Sequence, residues 1–190
     1  ILGRPIRDLK DEVAFWSAAG YDHVPIEQGL QLTDVIRRQS MREVRAQYAV
    51  ETADTQARSW ATEGKGLITT RAEFEAFQWP DPDALDYSAF ERIGSLLPPK
   101  VKVIGVLGKI YTCVWWLMGL EGMSLALAED PDLVAQVFGK VGRFQYRVFE
   151  HMLRFDCVGA VWHADDIAFA TQLMISPRLL RAHLFPWYKE

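Results

Sequence analysis

The chain has 190 residues, 49% of them hydrophobic and 24% charged, which is enough apolar material for a packed domain and far from the balance of disordered chains. A formal net charge of -4, with 21 basic residues spread along the sequence, gives no electrostatic footprint for a phosphate backbone, so nucleic acid is not an expected partner. Cys113 and Cys157 sit in apolar stretches without CxxC or Cys/His ligand spacing, which argues against a disulfide framework or a structural zinc site and fits a reducing cytoplasm.

The N-terminal ILGRPIRDLKDE is too polar for a signal peptide, and no apolar run approaches the roughly 18 residues of a membrane span. A cytoplasmic protein with no membrane partner is expected. The chain begins at Ile1 without a methionine and stops just after 185-FPWYKE-190, which sets the expectation of a fragment of something longer.

In chain order, 8-DLKDEVAFWSAAG-20 spaces Leu9, Val13, Trp16 and Ala19 on one helix face, with acids in the first turn and Gly20 where a C-cap belongs. The residues 21-YDHVPIEQG-29 read as a strand ending at Glu27 and Gln28. Residues 45–70, with the turn signal EGKG, suggest an excursion containing a β-hairpin. Thr70 and Glu73 form a capping box for a short helix through Phe77. The WPDPD stretch is a loop, Asp86 caps a helix through Leu97, and Pro98-Pro99 ends it.

The strongest strand signal is 101-VKVIGVLG-108, β-branched and bounded by prolines and glycine. Helix returns over 111-YTCVWWLMGLEG-122, and again after Asp130-Pro131, an N-cap followed by proline at the first helical position. There Leu133, Val137, Phe138, Val141, Phe144, Val148 and Met152 make a stripe at the 3.6-residue period. A strand at 158-VGAVW-162 runs into His163, Ala164, Asp165 and Asp166, and Ser176-Pro177 opens the last helix, through Phe185. Alternating strands and helices, with the strands apolar throughout, predict a parallel sheet covered by helices, and such sheets carry their chemistry at the carboxyl ends of strands.

These landmarks resemble the uroporphyrinogen decarboxylase superfamily. The most specific match is 160-AVWHADDIAFATQLMISPRLLRAHLFPWYK-189, similar to the family's strand, aspartates, loop, Ser-Pro and helix ending at Pro-Trp/Tyr-Tyr-Lys; 103-VIGVLGKIYTCVWWLMGLEGMS-124 and 74-FEAFQWPDPDALDYS-88 add weaker support. The resemblance implies an α/β fold of the (β/α)8 TIM-barrel family, of which this chain would supply only part as a single domain. It implies decarboxylation of a tetrapyrrole-related or other small carboxylate. The alternatives are a zinc-dependent methyltransferase acting between a corrinoid protein and a thiol, with its zinc ligands beyond Glu190, and a non-catalytic binding protein on the same scaffold. No cofactor or metal is expected within this segment, and a homodimer is an open possibility.

Carried over residue by residue, Asp166 falls on the family's aspartate beside the substrate, with Asp165 its electrostatic neighbour. Two poorly solvated carboxylates side by side raise each other's pKa, which equips one of them for proton exchange near neutral pH. Trp116 aligns with the family's substrate-facing tyrosine, so that hydroxyl is absent here. The family's Arg-Gln-Ala-Gly-Arg and Phe-Ser-Asp motifs have no counterpart, and Glu27 is the only acid in the segment nearest the second. The candidate substrate-binding set is His163, Trp162, Tyr111, Trp116 and Glu27. Each has an ordinary reading as well: acids capping the next helix, a hydrogen-bonded histidine, aromatic core packing, a solvated strand-end glutamate. His23, His151 and His183 have no partner spacing and read as structural or exposed.

Overall fold

The structure, a computed structural model, describes residues 1–27 and 66–190, and between them Leu32 and Ile36 alone, both helical and buried. In chain order the described elements are α1 (Leu9–Ala18), β1 (His23–Glu27), α2 (Arg71–Ala76), α3 (Ser88–Gly94), β2 (Lys102–Gly108), α4 (Ile110–Met118), α5 (Leu120–Glu129), α6 (Pro131–Met152), β3 (Val158–Ala164) and α7 (Pro177–Leu179). The chain divides into two compact units. The first is Ile1–Gly29, Asp81–Gly108 and Phe144–Ala164; the second is Leu30–Pro80, Lys109–Arg143 and Asp165–Glu190. The β-hairpin expected around residues 45–70 falls, up to residue 65, outside the described residues.

The first unit is organised by a parallel sheet in the order β1-β2-β3. Side chains alternate across a strand, and burial follows that period. Val24, Ile26, Val103 and Leu107 are buried on one face, while Glu27, Ala160, Trp162 and Ala164 are exposed on the other. Met152 at the end of α6 packs over the buried face at Gly105, where an added Cβ would lie 2.6 Å from the Met152 sulfur. Asp8 starts α1 by accepting from the Asp11 amide at 2.9 Å, and Gly20, at φ +84°, takes the left-handed conformation after its end.

This sheet overturns the expectation of a (β/α)8 barrel. Closure pairs every strand on both sides and fills the interior with side chains. Among the described residues the sheet instead has three strands and two open edges, and Trp162 on its less covered face is 57% exposed. Alternating strands and helices are shared by every parallel α/β arrangement, so that pattern carried no information about closure.

Helix α3 is shorter than expected, ending at Gly94, and Asp86 supports it from one position before the cap residue Tyr87, by accepting from the Ser88 amide at 2.9 Å. Beside it, Asp83 accepts from Arg147 Nε and His151 Nε2, both at 2.6 Å. The hydrogen bond from Arg147, then that from His151, holds the Asp83 carboxyl below its ordinary value of 3.8. A carboxyl with a lowered folded-state pKa contributes stability that is complete above the unfolded value and is lost as pH falls through the folded one. Asp83→Asn is therefore expected to flatten part of the stability loss below about pH 4, seen as a smaller fall in the urea midpoint between pH 5 and pH 3. An unchanged acid limb would refute this.

In the second unit, the Thr70–Glu73 capping box starts α2 as expected. The helix expected over residues 111–122 is instead two helices, because Gly119, at φ +71°, breaks the chain and α4 and α5 meet at 88°. No single described helix is long and apolar enough to cross a membrane. The predicted stripe on α6 is buried along its whole length: Leu133, Val137, Phe138 and Val141 serve this unit, and Phe144, Val148 and Met152 serve the first. Ser176 caps α7 by accepting from the Leu179 amide, and the chain continues as a wider helical turn over Leu180–Leu184. The Trp187 indole lies against Gly142, where a Cβ would come within 2.3 Å of the ring.

Candidate functional site

Strand register carries the first unit's site. Glu27 pairs with Val106, and Val106 with Trp162, so one residue from each strand forms a row near the carboxyl ends of the sheet. The row faces a cleft of ≈ 710 Å³, whose wall is completed by Pro25 and Ala164 and, from α1, by Glu12 and Trp16. Glu12 and Trp16 are four residues apart, on one face of the helix, and the indole N–H of Trp16 donates to the Glu12 carboxylate at 3.2 Å. The described lining holds two carboxylates and two indoles, with no lysine, arginine or histidine. Small-molecule sites in parallel sheets occupy this position at the strand ends, combining apolar walls with a few polar groups.

Two sequence candidates, Glu27 and Trp162, therefore share this cleft. His163 does not line it. The strand runs two residues further than expected, through Ala164, so alternation turns His163 to the opposite face, where its ring lies 6.2 Å from that of Phe149 on α6.

In the second unit, the Asp165 carboxylate is bound to the start of α4. It accepts from the Tyr111 amide at 2.6 Å, the Thr112 amide at 3.1 Å and the Thr112 hydroxyl at 2.8 Å, and from the Tyr188 hydroxyl at 3.2 Å. The helix makes no cap of its own, because Lys109 stands before it at φ 72° with no side-chain capping bond. Asp165 thus supplies from a distant segment the acceptor that a local Ser, Thr or Asp would supply. The exposed Asp166 donates its amide to Asp165 Oδ1 at 3.0 Å.

Tyr111 is fully buried, tilted against Phe138 at 6.5 Å, and its hydroxyl has no hydrogen-bond partner among the described residues. Burial, and then the charges of Asp165 and Asp166, push its phenol up to about 12. Burial and the same Asp165 carboxylate also raise the Tyr188 phenol. Trp116 is half-buried on α4. Asp165, Asp166 and Tyr111 thus come together around a helix start.

Sequence reading missed Glu12, Trp16 and Tyr188. The i, i+4 spacing of Glu12 and Trp16 was a usable signal, masked because Trp16 also fits the apolar stripe of α1. Tyr188 lies 23 residues from Asp165, and no local pattern links the two. Among the described residues no three His, Cys, Asp or Glu side chains are grouped to hold a metal ion. Compared with known proteins, the chain matches no family model, no curated protein and no solved structure.

Proposed function

We propose that the chain carries decarboxylase chemistry of the uroporphyrinogen decarboxylase type, acting on a small, pyrrole-like carboxylate in the cleft at the carboxyl ends of β1, β2 and β3. The observation that carries this reading is the row of Glu27, Val106 and Trp162 across that cleft. The resemblance of residues 160–189 to the family supports it independently.

In such a reaction a proton from solvent adds to the ring carbon that bears the carboxylate, giving a cation. The carbon–carbon bond then breaks, carbon dioxide leaves, and the electron pair returns to neutralise the ring. The demand on the protein is to stabilise positive charge as it develops, and fixed negative charge in the cleft meets that demand. Glu27 is the group assigned this role, with the Trp162 face as the platform for the ring. A polyanionic tetrapyrrole would meet no basic side chain in this lining, so a substrate with a single carboxylate suits it better.

The test is carbon dioxide release from pyrrole-2-carboxylate and related monocarboxylates, with and without an aminoalkyl group. Glu27→Gln is expected to lower kcat on the order of a hundredfold with an unchanged melting temperature, since Glu27 is exposed at a strand end. No release from any of these acids would sink the proposal. Full activity in Glu27→Gln, with loss in Asp166→Asn, would return the role to the aspartate marked by the resemblance.

A further inference from the structure

We infer that the molecule recognised in this cleft carries a cationic nitrogen. The inference rests on the cleft being the site and goes beyond that reading by naming the charge of its ligand. Three classes of ligand can be weighed against the same walls. An anion meets Glu12 and Glu27 and no described basic partner. A neutral apolar molecule gains burial but brings no positive charge to either carboxylate, and Glu12 keeps only the neutral indole N–H of Trp16. A cation is attracted both by the carboxylates and by the π face of the exposed Trp162.

The disposition of the two indoles strengthens the third case. Trp162 is 57% exposed at the end of the row, on the edge strand β3, so its ring is open to a ligand. Trp16 is held by its N–H on Glu12, which fixes ring and carboxylate as one unit on the opposite wall. Aromatic rings and acids facing a shared space are the chemistry by which ammonium groups are recognised. A substrate that combines such a nitrogen with the carboxylate to be lost would be anchored at the cation while its carboxylate points out of the acidic cleft.

The test uses three probes on the full chain: choline, its neutral isostere 3,3-dimethylbutan-1-ol, and pyrrole-2-carboxylate. Binding is followed by indole fluorescence and by calorimetry. Choline is expected to bind about tenfold more tightly than the isostere and to weaken as salt is raised. Glu27→Gln and Trp162→Ala, each checked for an unchanged melting temperature, should each weaken choline at least about fivefold. Equal binding of choline and the isostere, or choline binding that survives both substitutions, overturns the inference. Binding of pyrrole-2-carboxylate that depends on Trp162, without binding of choline, would remove the cation and keep the cleft as the site. Binding of neither probe would remove both.

Discussion

Asp165→Ala is expected to cost about 3 kcal/mol of stability, an unusually large loss for a carboxylate at a strand end. The carboxylate accepts from two backbone amides and one hydroxyl at the first turn of α4, and both residues that donate them, Tyr111 and Thr112, are buried. Removing the acceptor strands donors that water reaches poorly, and each buried unsatisfied donor costs about 1–3 kcal/mol. It also removes a negative charge from the positive end of the helix dipole. Asp165→Asn keeps one acceptor oxygen and should lose about half as much.

Urea unfolding measures both changes, and alkaline titration of tyrosine absorbance gives an independent check. With the Asp165 charge gone, the Tyr111 phenol should titrate below its value of about 12, since that charge is the second cause of its elevation. A normally stable Asp165→Ala that loses activity would mean that the carboxylate serves chemistry and not the helix.

The difference between Asp165 and Glu27 shows what a sequence can carry. Features fixed by neighbours within a few residues were readable: the stripe on α6, the Thr70–Glu73 box, Ser176 before α7, and the three strands. The partners of Asp165 lie 53 and 54 residues earlier in the chain, so no spacing rule could have linked them, and the two adjacent acids read as one catalytic pair. The faces of β3 were nearly readable. Once the strand includes His163, the two-residue period alone separates Trp162 from His163; ending it two residues too soon, at Trp162, joined them into one site. The register of Glu27, Val106 and Trp162 depends on pairing between residues 79 and 56 positions apart in sequence, respectively, which periodicity within a strand does not encode. Closure into a barrel was the least readable feature, because it depends on what pairs with the edges of β1 and β3.

Gly108→Ala is expected to lower stability by about 3 kcal/mol and to disable the cleft as well, whereas Gly105→Ala three residues earlier should cost about 1 kcal/mol. The two glycines share strand β2, so strand propensity and unfolded-state entropy change in the same way in both variants. The difference lies in what each new methyl group meets. At Gly105 the nearest atom is the Met152 sulfur at 2.6 Å, with the remaining contacts at 3.5 Å. A thioether is the flexible end of an unbranched side chain and can rotate away. At Gly108 the methyl group would lie 2.2 Å from the Ala164 carbonyl oxygen, 2.4 Å from its nitrogen and 2.8 Å from its carbonyl carbon. Those are backbone atoms of the paired strand, where Gly108 opposes Ala164 in register, and no rotamer change can relieve them. The ends of β2 and β3 must separate instead. That separation acts where Trp162 and Ala164 line the cleft, so choline binding should fall along with the urea midpoint in Gly108→Ala and persist in Gly105→Ala. Equal stability of the two variants would mean that the strand ends yield freely, and the cleft would then have no rigid floor on which to hold Glu27 and Trp162 in one row.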